Sequence, residues 1–415
     1  MKYIFLVGDG MADYPIEQLG NKTPLEVANT PNMDTIATEG ISGTVRTIPD
    51  ELASGSGVAN LNILGYDPRK YYTGRGPFEA LNMGVDLTQG DIAFRCNLVT
   101  VADGIMVDYS AGHISDSEAK DLIEFIDKSL ATGRPEREFI EFYSGTSYRH
   151  LMVVREKAET QYSGFTMSDL SKVQCIPPHD ITGKECEKNF PAGKGAELLL
   201  HLMVNSIAML QEHDINKARI ADGKNPANMI WLWGQGRRPA MTSFAEKFGV
   251  KGSIISAVNL IKGIGLCAGL KVINVKGATG FLDTNYKGKA EAALKSLNDG
   301  DFVFVHVEAP DEAGHMGLVD KKIQAIEDFD RLVVGTVLEG AKALGNCRIA
   351  VLPDHPTPIS TKTHSREAVP FAICGEGIEP DGVSSYSESA AKGGSVHFDQ
   401  GHMLMDYFIK KNSGG

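Results

Sequence analysis

The chain has no tract of basic residues and a formal net charge of −12, which excludes nucleic acid as its main partner. An anionic ligand would need a local group of Arg, Lys or metal ions. Its six cysteines (Cys96, Cys175, Cys186, Cys267, Cys347, Cys374) form no CxxC pair and no regular spacing. Neither a zinc ribbon nor a disulfide framework is expected, and they read as reduced thiols of a cytoplasmic protein. Long apolar runs are missing too. The longest such region, "SIISAVNLIKGIGLCAGLKVI", is broken by Lys262 and several glycines, so no membrane span or membrane partner is expected. "MKYIFLV" is too short for a signal peptide. There is no Walker-type glycine-rich loop, no internal repeat and no low-complexity segment.

What is present is ordinary in bulk and specific in detail. With 415 residues, 42% apolar and 23% charged, two domains and a core large enough to hold a site are expected. Three apolar runs end alike. "KYIFLV" runs into Gly8-Asp9-Gly10, "DFVFVHV" into "EAPDEAGH", and "RIAVLP" into Asp354-His355. Such runs suit buried strands of a parallel sheet. Helical stretches separate them. "TPNMDTIATEG" has Thr30 as cap and Pro31 in the first turn, and "LVDKKIQAIEDFDRLVVGTVLEGAKALG" is stopped by Gly345. The alternation predicts a mostly parallel α/β sheet sandwiched by helices. Residues 88–238 read differently, with hairpin signals such as the turn at Ala102-Asp103-Gly104, and predict a smaller α+β domain inserted into a core of 1–87 and 239–415.

In such folds ligands gather beyond the carboxyl ends of the strands, where all three acidic groups fall. Asp311 and His315 are spaced to share a helix face, and with His364 they make a carboxylate and two imidazoles. Asp9, Asp354 and His355 make a second group. Mixed oxygen and nitrogen ligation suits Mn²⁺ or Zn²⁺ better than Ca²⁺. In "ELASGSGVANLNIL" either Ser54 or Ser56 lies near a helix start, where N–H groups can hold a phosphate; capping is the other reading of Ser56.

Together, "GDGMAD", "TPNMD", "GSGVANLNILGYDP", "YYTGRGPFEA", "APDEAGHMG", "PDHPTP" and "THSREAVP" resemble the archaeal-type cofactor-independent phosphoglycerate mutases of the alkaline phosphatase superfamily. The resemblance spans essentially the whole chain. It implies an isomerase of glycolysis that interconverts 3- and 2-phosphoglycerate through phosphorylated Ser56. It implies two divalent ions, Mn²⁺ first, with Zn²⁺, Mg²⁺ or Co²⁺ as alternatives. One would be held by Asp9, Ser56, Asp354 and His355, the other by Asp311, His315 and His364. The inserted domain would bind substrate as a lid. "LVTVADGIMVDYSAGHIS" resembles the stretch where the broader family places a histidine near the substrate phosphate, which points to His113. Arg149, Arg237 and Lys276, with Arg95 and Arg238, are candidates for binding carboxylate or phosphate. Where many members carry a histidine four residues after the nucleophile, this chain has Asn60, which cannot shuttle a proton near neutral pH. The match is nearest a bacterial branch that includes proposed homoserine kinases, so a homoserine kinase-like phosphotransferase is the alternative.

Overall fold

The computed structural model describes residues 1–130, 139–156 and 164–410. It divides into two compact units, one of Met1–Tyr72 with the chain from Met241 onward, the other of Thr73–Ala240. The second unit starts earlier than residue 88. The helix Arg75–Asn82 packs on its strands, and Gly74 and Gly76 lie so close to the backbones of Gln235 and Ala93 that a Cβ would clash.

In chain order the strands are β1 (Lys2–Gly8), β2 (Gly40–Val45), β3 (Ile92–Ala102), β4 (Ile105–Asp108), β5 (Ile140–Thr146) and β6 (Arg149–Val154). They continue as β7 (Met229–Arg237), β8 (Gly252–Ile255), β9 (Lys271–Val272), β10 (Phe302–Val307), β11 (Cys347–Leu352), β12 (Val369–Gly375) and β13 (Val396–Phe398). The sheet of the first unit runs β13-β2-β12-β11-β1-β10-β8-β9. Every pairing is parallel except those of β12, which opposes both β11 and β2. The three predicted runs are its adjacent central strands β11, β1 and β10.

Their continuous apolar sequence is explained by burial on both faces. Ile4, Leu6, Val303, Val305, Ile349 and Val351 face one core, while Phe5 stacks on Phe304 with ring centroids 5.6 Å apart and meets Phe408 edge-on. Register aligns the strand ends, since Gly8 pairs with Val307 and Val7 with Leu352. The segments that follow therefore leave the sheet at one edge.

The helices follow their sequence signals in outline and differ in detail. Pro31 opens the helix Pro31–Thr38, but the Thr30 side chain makes no capping bond. The free N–H groups of Asn32 and Met33 donate instead to the Asp330 carboxylate, which tertiary packing brings in from 300 residues away. The long helical stretch runs Val319–Asp328, then through π-helical Phe329–Val334 into Gly335–Ala341, ending before the left-handed Gly345.

The second unit is an antiparallel sheet, with β3 pairing β4, β6 and β7, and β5 pairing β6. Asp103 and Gly104, at φ 50° and 76°, make the expected tight turn from β3 to β4. Ile92, Phe94, Cys96 and Leu98 pack on one core, and Ala93, Leu151 and Val153 on another with Ala80 and Leu87. All six cysteines are free, and among the described residues no helix is long and apolar enough to cross a membrane.

Candidate active site

The chain crowds charge where β1, β10 and β11 end. Asp9 follows β1, and the helix Ala309–Met316 after β10 presents Asp311 and His315 on one face. The segment after β11 carries Asp354, His355 and His364. Asp9, Asp354 and His355 are fully buried, and Asp311 nearly so. Ser56 begins the helix Ser56–Ile63.

These seven residues meet. Ser56 Oγ lies 3.1 Å from His355 Nε2, which is 3.4 Å from both Asp9 Oδ1 and Asp354 Oδ2. On the other side, His315 Nε2 is 3.1 Å from Asp311 Oδ2 and 3.0 Å from His364 Nε2, and His364 Nε2 is 3.6 Å from Asp311 Oδ1. One ligand atom each from Asp9, Asp354 and His355 falls within 4.8 Å of the others, as do those of Asp311, His355 and His364. Ser54 differs, since its hydroxyl donates to the His364 carbonyl at 3.3 Å.

The electrostatics explain what such a group can hold. Burial, followed by the Asp354 and Asp311 charges, pushes the Asp9 carboxyl well above the usual range, and neither of its oxygens has a hydrogen-bond partner. His306 Nε2 is 2.9 Å from Asp9 Oδ2 but out of line for donation. Burial works against Asp311 too, yet the His315 and His364 imidazoles hold its pKa well below the usual value. Burial would lower His315, but Asp311 raises it to about 9. That imidazolium supplies one countercharge to three clustered carboxylates. A buried carboxylate with no proton donor, beside imidazole nitrogens at ligand spacing, fits a divalent cation, and ligation would displace the shared imidazole proton.

Around this group lie several residues that sequence reasoning did not place there. Asn60 Nδ2 donates to Asp354 Oδ2 at 2.6 Å and to the Ser56 carbonyl at 2.9 Å, so the amide ties the serine's helix to Asp354. His306, fully buried in β10, faces Asp9. Glu308 joins Asp9 and Asp311 within 4.8 Å; its place directly after a strand that reaches this edge was the available signal. Thr357 Oγ1 donates to Asp311 Oδ1 and Lys322 Nζ to Asp13, and neither carried such a signal.

The substrate-binding candidates are more dispersed. Lys276 is exposed in the first unit. In the second unit His113 is exposed at φ 50°, with its ring 6.0 Å from Tyr148, and Arg149 lies 5.3 Å over that same ring. Arg237 is half-buried at the end of β7, where its carbonyl accepts from Thr73. Arg238 pairs with Asp86 at 3.1 Å. Arg95 is buried, 3.0 Å from Glu79, which also pairs with Arg75 at 2.9 Å. Arg149 adds its field there, setting three guanidinium groups against one carboxylate. Burial lowers Arg95 to about 10.

Fold and site thus define an α/β domain whose strand ends gather a carboxylate–imidazole cluster beside a serine. The family model for 2,3-bisphosphoglycerate-independent phosphoglycerate mutase matches residues 37–216. A phosphoglycerate mutase of that name from Methanosarcina mazei is 51% identical over 414 residues, covering 99% of this chain and 100% of the relative. A solved Pyrococcus horikoshii structure aligns at TM-score 0.80 and 31% identity, covering 100% of this chain and 98% of that one. The cofactor-independent phosphoglycerate mutase of Thermoplasma acidophilum aligns at 0.64 and 29%, covering 99% of each. The chain belongs to the 2,3-bisphosphoglycerate-independent phosphoglycerate mutase family, a family of isomerases.

Proposed function

We propose that this chain interconverts 3-phosphoglycerate and 2-phosphoglycerate through a phosphoserine at Ser56, at a site holding two divalent ions. The observation that supports it most is Ser56 Oγ, 3.1 Å from His355 Nε2, at the edge of a cluster whose buried Asp9 oxygens have no proton donor. Asp9, Ser56, Asp354 and His355 would hold one ion and Asp311, His315 and His364 the other. Mn²⁺ suits this mixed oxygen–nitrogen group, with Zn²⁺, Mg²⁺ and Co²⁺ as alternatives. When bound, the ions would neutralise phosphoryl oxygens and favour the serine alkoxide.

The chain's own residues do the rest. The first turn of Ser56–Ile63 presents backbone N–H groups to phosphoryl oxygens. Ser56 Oγ attacks phosphorus in line, the bond to the glycerate oxygen breaks, and that oxygen takes a proton. The neighbouring hydroxyl then attacks the phosphoserine, loses its proton and releases Ser56. Asn60 fixes Ser56 and Asp354 through its two hydrogen bonds and carries no proton itself. The inserted unit is proposed as the substrate-binding lid. Its Arg75, Arg95 and Arg149 would recognise the substrate's anionic groups, with Glu79 orienting Arg75 and Arg95, and retaining glycerate while excluding water separates a mutase from a phosphatase.

An enolase-coupled assay on Mn²⁺-loaded protein, with no bisphosphoglycerate added, should show turnover of 3-phosphoglycerate. Ser56→Ala should lose about a thousandfold or more in kcat while still folding and binding metal. Homoserine with ATP is the control pair. Turnover of that pair alone, or retained activity in Ser56→Ala, would overturn the reading.

A further inference from the structure

We propose that Thr357 is a positioning residue that couples the two halves of the cluster, its single hydroxyl orienting Asp311 and setting the tautomer of His355. The inference rests on the division of ligands proposed above. Thr357 is fully buried, two residues beyond His355. Its Oγ1 donates to Asp311 Oδ1, a residue of the other half, and lies 3.2 Å from His355 Nδ1.

A hydroxyl has one proton and two lone pairs. Once that proton is committed to the Asp311 carboxylate, Thr357 can only accept from His355. The imidazole proton of neutral His355 is then on Nδ1. Nε2 keeps its lone pair, and it is Nε2 that faces Ser56 Oγ at 3.1 Å and Asp9 and Asp354 at 3.4 Å. Ligating histidines commonly have their tautomer fixed by the partner of the other nitrogen.

The hydroxyl is held in place. The Thr357 N–H donates to the Ala12 carbonyl at 3.2 Å, and its carbonyl accepts from Lys322 Nζ at 2.8 Å. Lys322 is fully buried and holds the Ala12 carbonyl and Asp13 at 3.1 and 2.7 Å. A β-branched side chain adds stiffness at χ1. Two glycines shape the space. A methyl group at Gly10 (φ +63°) would come within 2.7 Å of both Thr357 Oγ1 and Asp311 Oδ1. One at Gly314 would come within 2.5 Å of the Thr357 carbonyl. The glycines of "GDG" and "DEAGH" thus leave room for the same threonine.

Two measurements on the full chain test this, and neither uses phosphoglycerate, so failure of the mutase reading leaves them interpretable. The first is ¹⁵N NMR of histidine-labelled, chelator-treated protein, with His355 assigned by comparison with His355→Gln. Its Nδ1 should be protonated and its Nε2 bare; the reverse tautomer overturns the proposal, and this arm needs no Thr357 variant to fold. The second is Zn²⁺ titration calorimetry of Thr357→Val and Thr357→Ser. The valine variant should lose about 10–100-fold in affinity at both binding steps, and the serine variant should restore both. Unchanged binding in Thr357→Val, or a loss confined to one step, overturns the coupling.

Discussion

Asp9 and Asp13 leave β1 four residues apart, and both side chains are almost wholly buried, yet their surroundings are opposite. Asp13 is saturated. Lys322 Nζ reaches it at 2.7 Å, Tyr14 N donates at 2.7 Å and Ile359 N at 3.2 Å. The ammonium spends its other protons on the Ala12 and Thr357 carbonyls. Asp9 has two bare oxygens and two further carboxylates close by. A buried ion pair that satisfies itself is scaffold, whereas a buried carboxyl with no donor stays charged only if a cation is bound to it and otherwise takes up a proton. The chain after β1 therefore carries a satisfied carboxylate, Asp13, and an unsatisfied one, Asp9, four residues apart.

Breaking the clamp should have the largest effect. Lys322→Met leaves Asp13 uncompensated, and the chelator-treated protein should lose about 3–5 kcal/mol in denaturant unfolding; a loss under about 1 kcal/mol would equate it with a surface pair. Supplying the missing charge comes next. Mn²⁺ at a thousandfold excess over its Kd should add about 4 kcal/mol to unfolding stability, and chelation should remove it. In Asp9→Asn most of that increment should vanish, which differential scanning calorimetry with and without metal would show.

The sharpest form of the contrast is a change of sign. Without metal, Asp9→Asn should stabilise the protein by about 1–2 kcal/mol by deleting an unpartnered buried acid. Asp13→Asn, the same chemical change four residues on, should destabilise it. Equal signs would erase the distinction drawn here.

A third kind of buried group, in the inserted unit, should give the smallest effect near neutral pH and act only in acid. Burial, then the charges of Arg149 and Arg95, lowers His150 from 6.5 to about 3, and Gly145 N–H donates to its Nδ1 at 3.0 Å. The unfolded chain takes up a proton below pH 6.5 while the folded one refuses it until about 3. Stability is therefore complete above that window and falls as pH drops through it. His150→Gln should flatten this part of the acid-unfolding curve.

Much of this was legible in advance, for identifiable reasons. β1, β10 and β11 are buried on both faces, so each is a continuous apolar run, and the polar residue that ends a run falls at the sheet edge. Asp311 and His315 share a helix face because four residues make about one turn. The Asp103-Gly104 turn needs two positive φ angles and says so in its residues. A histidine inside a strand, such as His306, looks the same in sequence whether or not it faces a carboxylate. Thr30 looks like a cap, but its work is done by Asp330, and nothing local announces that. The second unit begins at Thr73 because glycines there touch strands far along the chain.

By itself the sequence determined which residues could bear charge, where strands and helices would begin, and hence that acids and imidazoles would collect along one edge; periodicity and residue chemistry are local properties. Only the tertiary structure decided which of those groups would be neutralised and which left bare. That outcome depends on distances between segments hundreds of residues apart, as when Lys322 reaches Asp13 and Asn60 reaches Asp354. Burial, which strips away water's screening, then turns those distances into the energies that matter.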